Sequence, residues 1–455
     1  MDFDFDFLVI GAGACGLAGA IAAHDAGLTT AILEKMPQPG GNSALSTGSV
    51  PGAGTRFQRE IGIEDDASRF FDDLMRIAPE TDDAELVRRV TALSAETVEW
   101  LVDTVGARMA LVTAYKHIGH TERRLHAPVS RRGKDLVDDL LAAVEARDIP
   151  VALGNVVTDL IAEDGVVLGA RVKIGDQTTD VRARKVLLAV NGFAANRELV
   201  SRFIPEIAGA AYFGAQGSTG EAVLWGEKLG ADLANMNAYQ GYAGVSDPHG
   251  GLLSWTTVEK GAFMVGPDGR RFGDESLGYS GYARLVLENA TYAYTIFDQR
   301  IFDIAAQEEE FVELANYGGF RKGSGPRELA SQVGLDPDVL EAEFEAYNRA
   351  ARGEEKDRLG RTDFGLGALG GPLYIGRVVP GLFHTQGGLR IDTNARVLRK
   401  SGDPVPNLFA GGGAAAGVSG RAGALGYASG SGLLTAIVLG RIAAIAAAEA
   451  LGERA

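Results

Sequence analysis

Apolar and polar positions alternate along the chain in blocks that predict an α/β protein. A short apolar run, Phe7 to Ile10, precedes Gly11-Ala12-Gly13-Ala14-Cys15-Gly16 and the helix-forming stretch Leu17 to Ala26. Gly27 is a natural helix stop, and a second apolar run, Thr29 to Leu33, ends in Glu34. Two short apolar runs flanking a helical stretch predict a β-α-β unit with G-x-G-x-x-G at its first turn. Apolar residues at three- and four-residue spacing predict helices over 65–78, 84–105 and 134–147. Strands are expected at 151–153, 156–161 and 166–172, and a buried strand at 185–190.

Beyond Asn235 the pattern changes. Residues 237–383 hold nine of the twelve tyrosines, Gly-Gly pairs at Gly250, Gly318 and Gly370, and a charged, solvated helix over 337–352. This reads as a separate inserted domain, after which glycine-rich turns and buried strands return from His384 onward. The longest apolar run, 433–451, is mostly alanine and is interrupted by Arg441 and Glu449. It suits a buried or half-buried helix better than a membrane span.

Composition narrows the function. The 455 residues suffice for two or three domains and a buried cofactor. They include 62 glycines, roughly twice the usual share, which implies backbone packed closely on something extended. A net charge of −16 opposes binding to nucleic acid or anionic lipid. The single cysteine, Cys15, excludes an internal disulfide framework. Residues 1–7 lack a basic flank and do not read as a secretory signal, so a cytoplasmic location is the default.

The glycines of the first turn have separate tasks: Gly11 permits the tight turn, Gly13 admits a pyrophosphate, and Gly16 lets the helix pack on the strand. The helix start offers free N–H groups and a positive dipole end. Glu34, at the end of the second strand, stands where a carboxylate accepts both ribose hydroxyls. Pro39-Gly40-Gly41-Asn42-Ser43 follows almost at once, and such a loop can run along a ribityl chain and the isoalloxazine edge, favouring FAD over NAD.

At this point the chain resembles the flavoprotein family of fumarate reductase, urocanate reductase and 3-ketosteroid dehydrogenases. Leu187-Leu188-Ala189-Val190-Asn191-Gly192-Phe193, Ser218-Thr219-Gly220-Glu221, and Gly269-Arg270-Arg271-Phe272 with Glu275 are similar to its motifs in order. So are His384-Thr385-Gln386-Gly387-Gly388-Leu389 and Asn407-Leu408-Phe409-Ala410-Gly411-Gly412. The resemblance implies a Rossmann-like FAD-binding domain of the glutathione-reductase type over 1–238 and 384–455, with an inserted α+β capping domain over 239–383. It implies cofactor contacts from Gly11, Gly13, Ala14, Gly16, Glu34, Lys35, Gly41, Asn42, Ser43, Gly48, Val157, Asn191, Gly192, Gly412 and Gly430. Where the family has an acidic residue after the glycine matching Gly412, this chain has Gly413. No histidine lies between His24 and His117, where covalently flavinylated members attach the ring, so the FAD is expected to be noncovalent.

Two kinds of site occur in that family. The fumarate reductase type places a proton-donating arginine four residues after the glutamate of the cap signature; here that position is Tyr279. The clamping arginine is matched by Tyr427 in Tyr427-Ala428-Ser429-Gly430, and the histidine of a Gln-x-His-Pro segment by Tyr242. The arrangement resembles the ketosteroid dehydrogenases, with Tyr427 and the Gly430 N–H holding a ketone oxygen and Tyr279 taking the α-proton while hydride goes to flavin N5. Tyr115 is a candidate helper. Hydrogen bonds to the ketone oxygen stabilise the developing enolate, each worth about 3 to 4 kcal/mol. A free phenol, with pKa near 10, is a poor base unless its site favours the anion.

The expected substrate is therefore a cyclic ketone, steroidal or smaller, or a keto acid, with an unknown electron acceptor. His384 and Arg421 support a rival reading, an ene-reductase acting on an unsaturated carboxylate; a third is a flavoprotein that only transfers electrons. Tyr282, Tyr292 and Tyr294 read as packing. His117, His120 and His126 with Glu122 fit no zinc spacing, and Arg123 and Arg124 oppose a cation, so no metal is expected. No G-x-S-x-G elbow occurs.

Overall fold

The computed structural model describes residues 2–78, 83–113, 116–424 and 426–452. The chain divides into two compact units, the first made of 1–204, 214–239 and 384–455, the second of 205–213 and 240–383.

The first unit is built on a sheet whose parallel core runs Pro404–Ala410, Gln177–Leu188, Phe5–Ile10, Thr30–Glu34 and Val151–Leu153. Phe7, Leu8, Val9, Val186, Leu187 and Leu188 have no exposed surface, because a strand in the middle of a parallel sheet is covered on both faces. Between the first two strands lies the helix Ala14–Asp25, whose N-cap, Gly13, is extended and offers no side-chain cap. It packs against the C-terminal helix Ser431–Gly452. Leu17, Ile21, Leu434, Ile437 and Leu439 are fully buried, each contributing about 1.5 to 3 kcal/mol. Among the described residues Ser431–Gly452 is long and apolar enough to cross a bilayer, yet 67% of its most apolar window is buried inside the protein.

The expected continuous helix over 84–105 is instead two helices, Ala84–Ala92 and Ser94–Trp100, followed by a π-helical turn, Leu101–Val105. The Ser94 hydroxyl donates to Thr91 O (2.7 Å) and accepts from Ala53 N (3.1 Å), local bonds that compete with the helical ladder. The strand expected at 185–190 begins at Gln177, pairing over its polar, exposed first half with the hairpin strand Val166–Ile174.

The second unit centres on the strand Leu373–Thr385, flanked antiparallel by Ala293–Asp298, with Phe263–Val265 beyond it and Arg321–Gly323 along its edge. Residues 205–213 belong here because Ala211–Tyr212 pairs in parallel with Gly381 and Leu382. Its core is aromatic: Phe297, Phe302, Phe311, Phe320 and Tyr374 pack ring to ring at 4.7 to 6.4 Å.

Candidate active site

The nucleotide cradle is assembled at the first turn. Gly11 has φ +107°, and a side chain at Gly16 would place its Cβ 1.9 Å from Gly11 O, so only glycine lets this helix start so close to the strand. A Cβ at Gly13 would instead meet nothing nearer than Gly40 O at 3.7 Å, leaving room for a ligand over the helix start. Ala14 N donates to Ser43 Oγ (3.2 Å), tying the second glycine loop to that helix. Glu34 accepts from Ala12 N through Oε2 and from Met36 N through Oε1, both at 2.8 Å. Each oxygen is thereby oriented and keeps a lone pair for a hydroxyl.

In the second loop Gly41 (φ +52°) faces open space, and Asn42 accepts from Ala215 N (2.6 Å) while its buried Nδ2 has no partner. An orphaned buried donor beside an open glycine turn fits a polar ligand passing between them. Gly48 (φ +68°) packs against Pro128 and Gly133, and Val157 is a buried strand residue. The Lys35 ammonium bonds Thr219 Oγ1 (2.8 Å) and Glu221, so that side chain anchors the Gly220 turn. Asn191 (φ +64°) donates to Ser218 Oγ (2.7 Å) and accepts from Gly192 N (2.9 Å). Gly412 also lies at positive φ, +60°. Gly413 explains the missing acidic residue: a Cβ there would lie 2.3 Å from Asn191 Oδ1, in space the asparagine already fills.

Cys15 is 4% exposed, and burial pushes its thiol up to about 12, overriding the lowering expected of a helix start. A thiol reagent at pH 8 should leave the native protein unlabelled and modify one thiol after unfolding in urea, as mass spectrometry would record.

Tyr427 and Gly430 lie in the turn before the C-terminal helix. Gly430 has φ +76°, and its N–H finds no acceptor among the described residues. The ring of His384 is 6.2 Å from that of Tyr427, and its Nδ1 lies 3.3 Å from Thr385 O. Burial lowers the His384 pKa, so the imidazole is neutral near pH 7. Arg421 is exposed. Tyr115 lies outside the described residues.

Behind this turn is a buried ion network. Arg124 has no exposed surface; it pairs with Asp65 (2.9 Å) and Asp73 (2.6 Å) and lies 4.7 Å from the Phe70 ring. His120 Nε2 bonds Ser429 O (2.8 Å), and His126 bridges Thr55 Oγ1 and Arg124 O, both at 3.0 Å. Burial pushes both imidazoles down to about 4, and His117 to about 3. Among the described residues no group of three His, Cys, Asp or Glu side chains is placed to hold a metal.

In the second unit Tyr279 is the second residue of the helix Gly278–Asn289, half-buried, its ring 5.2 Å from Tyr242 and 6.1 Å from Trp255. Four residues earlier Glu275, with no exposed surface, accepts from Met264 N (3.0 Å), from Arg271 Nε (3.1 Å) and Nη2 (2.8 Å), and from Arg361 Nη1 (3.1 Å). Tyr242 requires a correction. Its hydroxyl donates to Leu253 O (3.1 Å) and accepts from Trp255 N (2.9 Å), its ring stacks on Phe383, and burial drives its pKa far up. The hydroxyl at the position matching the family's histidine is therefore taken up by the backbone, and the ring packs against Tyr279. Trp255, Phe383 and Arg361 carry no motif, and the sequence offered no signal for them.

The cradle at the first turn has the form of a dinucleotide site. The family model described as "FAD binding domain" matches residues 6–428, and the chain belongs to that family. It is 30% identical over 441 residues to "Probable fumarate reductase Ifc3" of Shewanella frigidimarina, covering 96% of this chain and 73% of that protein. It is also 30% identical over 421 residues to "NADH:fumarate oxidoreductase" of Klebsiella pneumoniae, covering 91% of this chain but only 45% of that longer protein. The solved 3-ketosteroid-Δ4-(5α)-dehydrogenase of Rhodococcus jostii, in complex with 4-androstene-3,17-dione, superposes with TM-score 0.78 at 27% identity, covering 98% of each chain. The protein is thus an FAD-dependent oxidoreductase of the fumarate reductase and ketosteroid dehydrogenase family.

Proposed function

We propose that the chain dehydrogenates a ketone at its α and β carbons, the substrate being a 3-ketosteroid or a smaller cyclic ketone. In this reading the unit around the parallel sheet is a Rossmann-like FAD domain and the second unit a capping domain. Glu34, Asn42, Ser43 and the turn Gly11 to Gly16 hold the FAD, which supplies a two-electron acceptor when bound. The Tyr427 hydroxyl and the Gly430 N–H donate to the ketone oxygen and stabilise the enolate as the α-proton leaves. Tyr279 receives that proton. The observation that carries the reading is Tyr279 itself, a tyrosine set among rings at the position where the reductases are expected to carry their arginine, on a turn pinned by buried Glu275.

A second reading, reduction of an unsaturated carboxylic acid, is favoured by the fumarate reductase relatives and by a neutral His384 beside Tyr427. Against it, Arg421 is exposed and the clamping position is a tyrosine. An anaerobic spectral comparison separates the two. A saturated cyclic ketone is expected to bleach the oxidised flavin, whereas fumarate or urocanate is expected to leave the dithionite-reduced flavin reduced. Rapid reoxidation by the acids, with no bleaching by ketones, would reverse the choice.

A further inference from the structure

We propose that His120 is the positioning residue for the ketone-oxygen grip, acting on the Gly430 N–H through the peptide bond that joins Ser429 to Gly430. The proposal rests on the ketone reading above. The Ser429 carbonyl and the Gly430 N–H belong to one peptide group, which is trans, so the two bonds point in opposite directions and their dipoles add. His120 Nε2 lies 2.8 Å from Ser429 O. A carbonyl oxygen can only accept, so Nε2 carries the proton. Nδ1, 3.4 Å from the Arg124 guanidinium, is then the accepting nitrogen.

The bond does two things to the N–H at the far end of the same peptide. It fixes the plane of the peptide, and so the direction in which the N–H points. It also draws electron density toward the carbonyl oxygen, making the N–H a stronger donor. The rest of the loop works in the same sense. Ser429 N donates to Ile118 O (3.0 Å), and Gly119 (φ +86°) leaves room for only a hydrogen beside Ala428, since a Cβ there would lie 2.7 Å from Ala428 Cβ. Residues 118–120 thus hold the backbone of 428–430 from one side, while the N–H on the other side has no acceptor among the described residues.

The network behind His120 keeps it in the required form. Arg124 is itself held by Asp65 and Asp73, so its guanidinium stays directed at the imidazole. A proton on Nδ1 would face that cation, and burial further opposes imidazolium. His120 therefore remains a neutral Nε2–H donor through the physiological range.

The test measures hydrogen bonding at the ketone oxygen directly. 2-Cyclohexen-1-one labelled with ¹³C at the carbonyl is bound to the oxidised holoenzyme, and its C=O stretch is read by isotope-edited infrared spectroscopy. In the wild type the stretch is expected below its value in buffer. In His120→Phe that lowering should shrink, Tyr427 supplying the remainder, and flavin reduction at saturating cyclohexanone should slow about tenfold, a fraction of what loss of a whole donor costs. His120→Gln, which keeps an N–H donor on a side chain of similar reach, should retain the larger part of both. FAD content and melting temperature are followed in parallel.

A wild-type frequency in His120→Phe overturns the proposal. So does equal loss in both variants at unchanged melting temperature, because the donor would then not be what matters. Should His120→Phe fail to fold, ¹⁵N NMR of the histidine-labelled wild type decides: Nε2 protonated and Nδ1 bare supports the assignment, and the reverse tautomer overturns it. A wild-type probe whose carbonyl does not shift at all overturns the ketone reading and this role with it, whatever the tautomer.

Discussion

Changing Tyr279 to phenylalanine is expected to slow the anaerobic bleaching of the flavin by a saturated cyclic ketone by ~10²–10⁴-fold, the usual contribution of a positioned acid–base group. The variant keeps the ring that packs against Tyr242 and Trp255, so FAD content and melting temperature should not change. Stopped-flow absorbance in the flavin band measures the rate. Tyr282→Phe is the control: that hydroxyl is buried on the same helix, and its loss should leave the rate within a factor of a few. Unchanged bleaching in Tyr279→Phe would remove the base assignment while leaving the cofactor assignment standing.

The second large effect concerns the residue that fixes Tyr279. Glu275→Ala strips the buried counter-charge from Arg271 and Arg361, whose side chains are only 2% and 3% exposed. Removing one partner of a buried pair costs about 3 to 5 kcal/mol, since the remaining charge is left in a poorly solvating interior. Asp357, 2.6 Å from Arg271, still neutralises part of that charge, which places the expected loss toward the lower end. Urea unfolding followed by tryptophan fluorescence should show an earlier transition, and flavin reduction should slow because the turn carrying Tyr279 loses its anchor. Glu275→Gln retains two hydrogen-bonding atoms in the same shape and should fall between.

Much of the fold was legible because the first unit follows periodic rules. Apolar runs marked Phe5–Ile10 and Thr30–Glu34, and glycine spacing marked the turn between them. The expected charged helix, 337–352, matches Pro337–Ala351 to within a residue, with Asp336 capping its first turn. Periodicity failed where local chemistry or exposure intervened. The break after Ala92 is invisible to apolar spacing because the same face stays buried on both sides of it. The first half of Gln177–Leu188 was missed because a hairpin can extend into solvent on polar residues alone.

At the candidate site the sequence could name residue types but not what their polar atoms were already doing. Tyr242 matched a substrate-side histidine in sequence, but its hydroxyl is held by two backbone groups. His120 looked like part of a failed metal cluster, and its partner, a carbonyl more than three hundred residues away, has no sequence signature.

The glycines shared by the first and last helices of the first unit tie the two ends of its chain together. A Cβ on Gly19 would press on Leu187 and Gly440, and one on Gly440 would fall 2.2 Å from Cys15 O. One flank of the helix that begins the nucleotide cradle is therefore covered by residues some four hundred positions downstream, while its other sides rest on the sheet and on the helix Gly133–Glu145. A chain translated only as far as residue 430 would carry the opening motif with that flank bare to water, so the cradle is written early and sealed late.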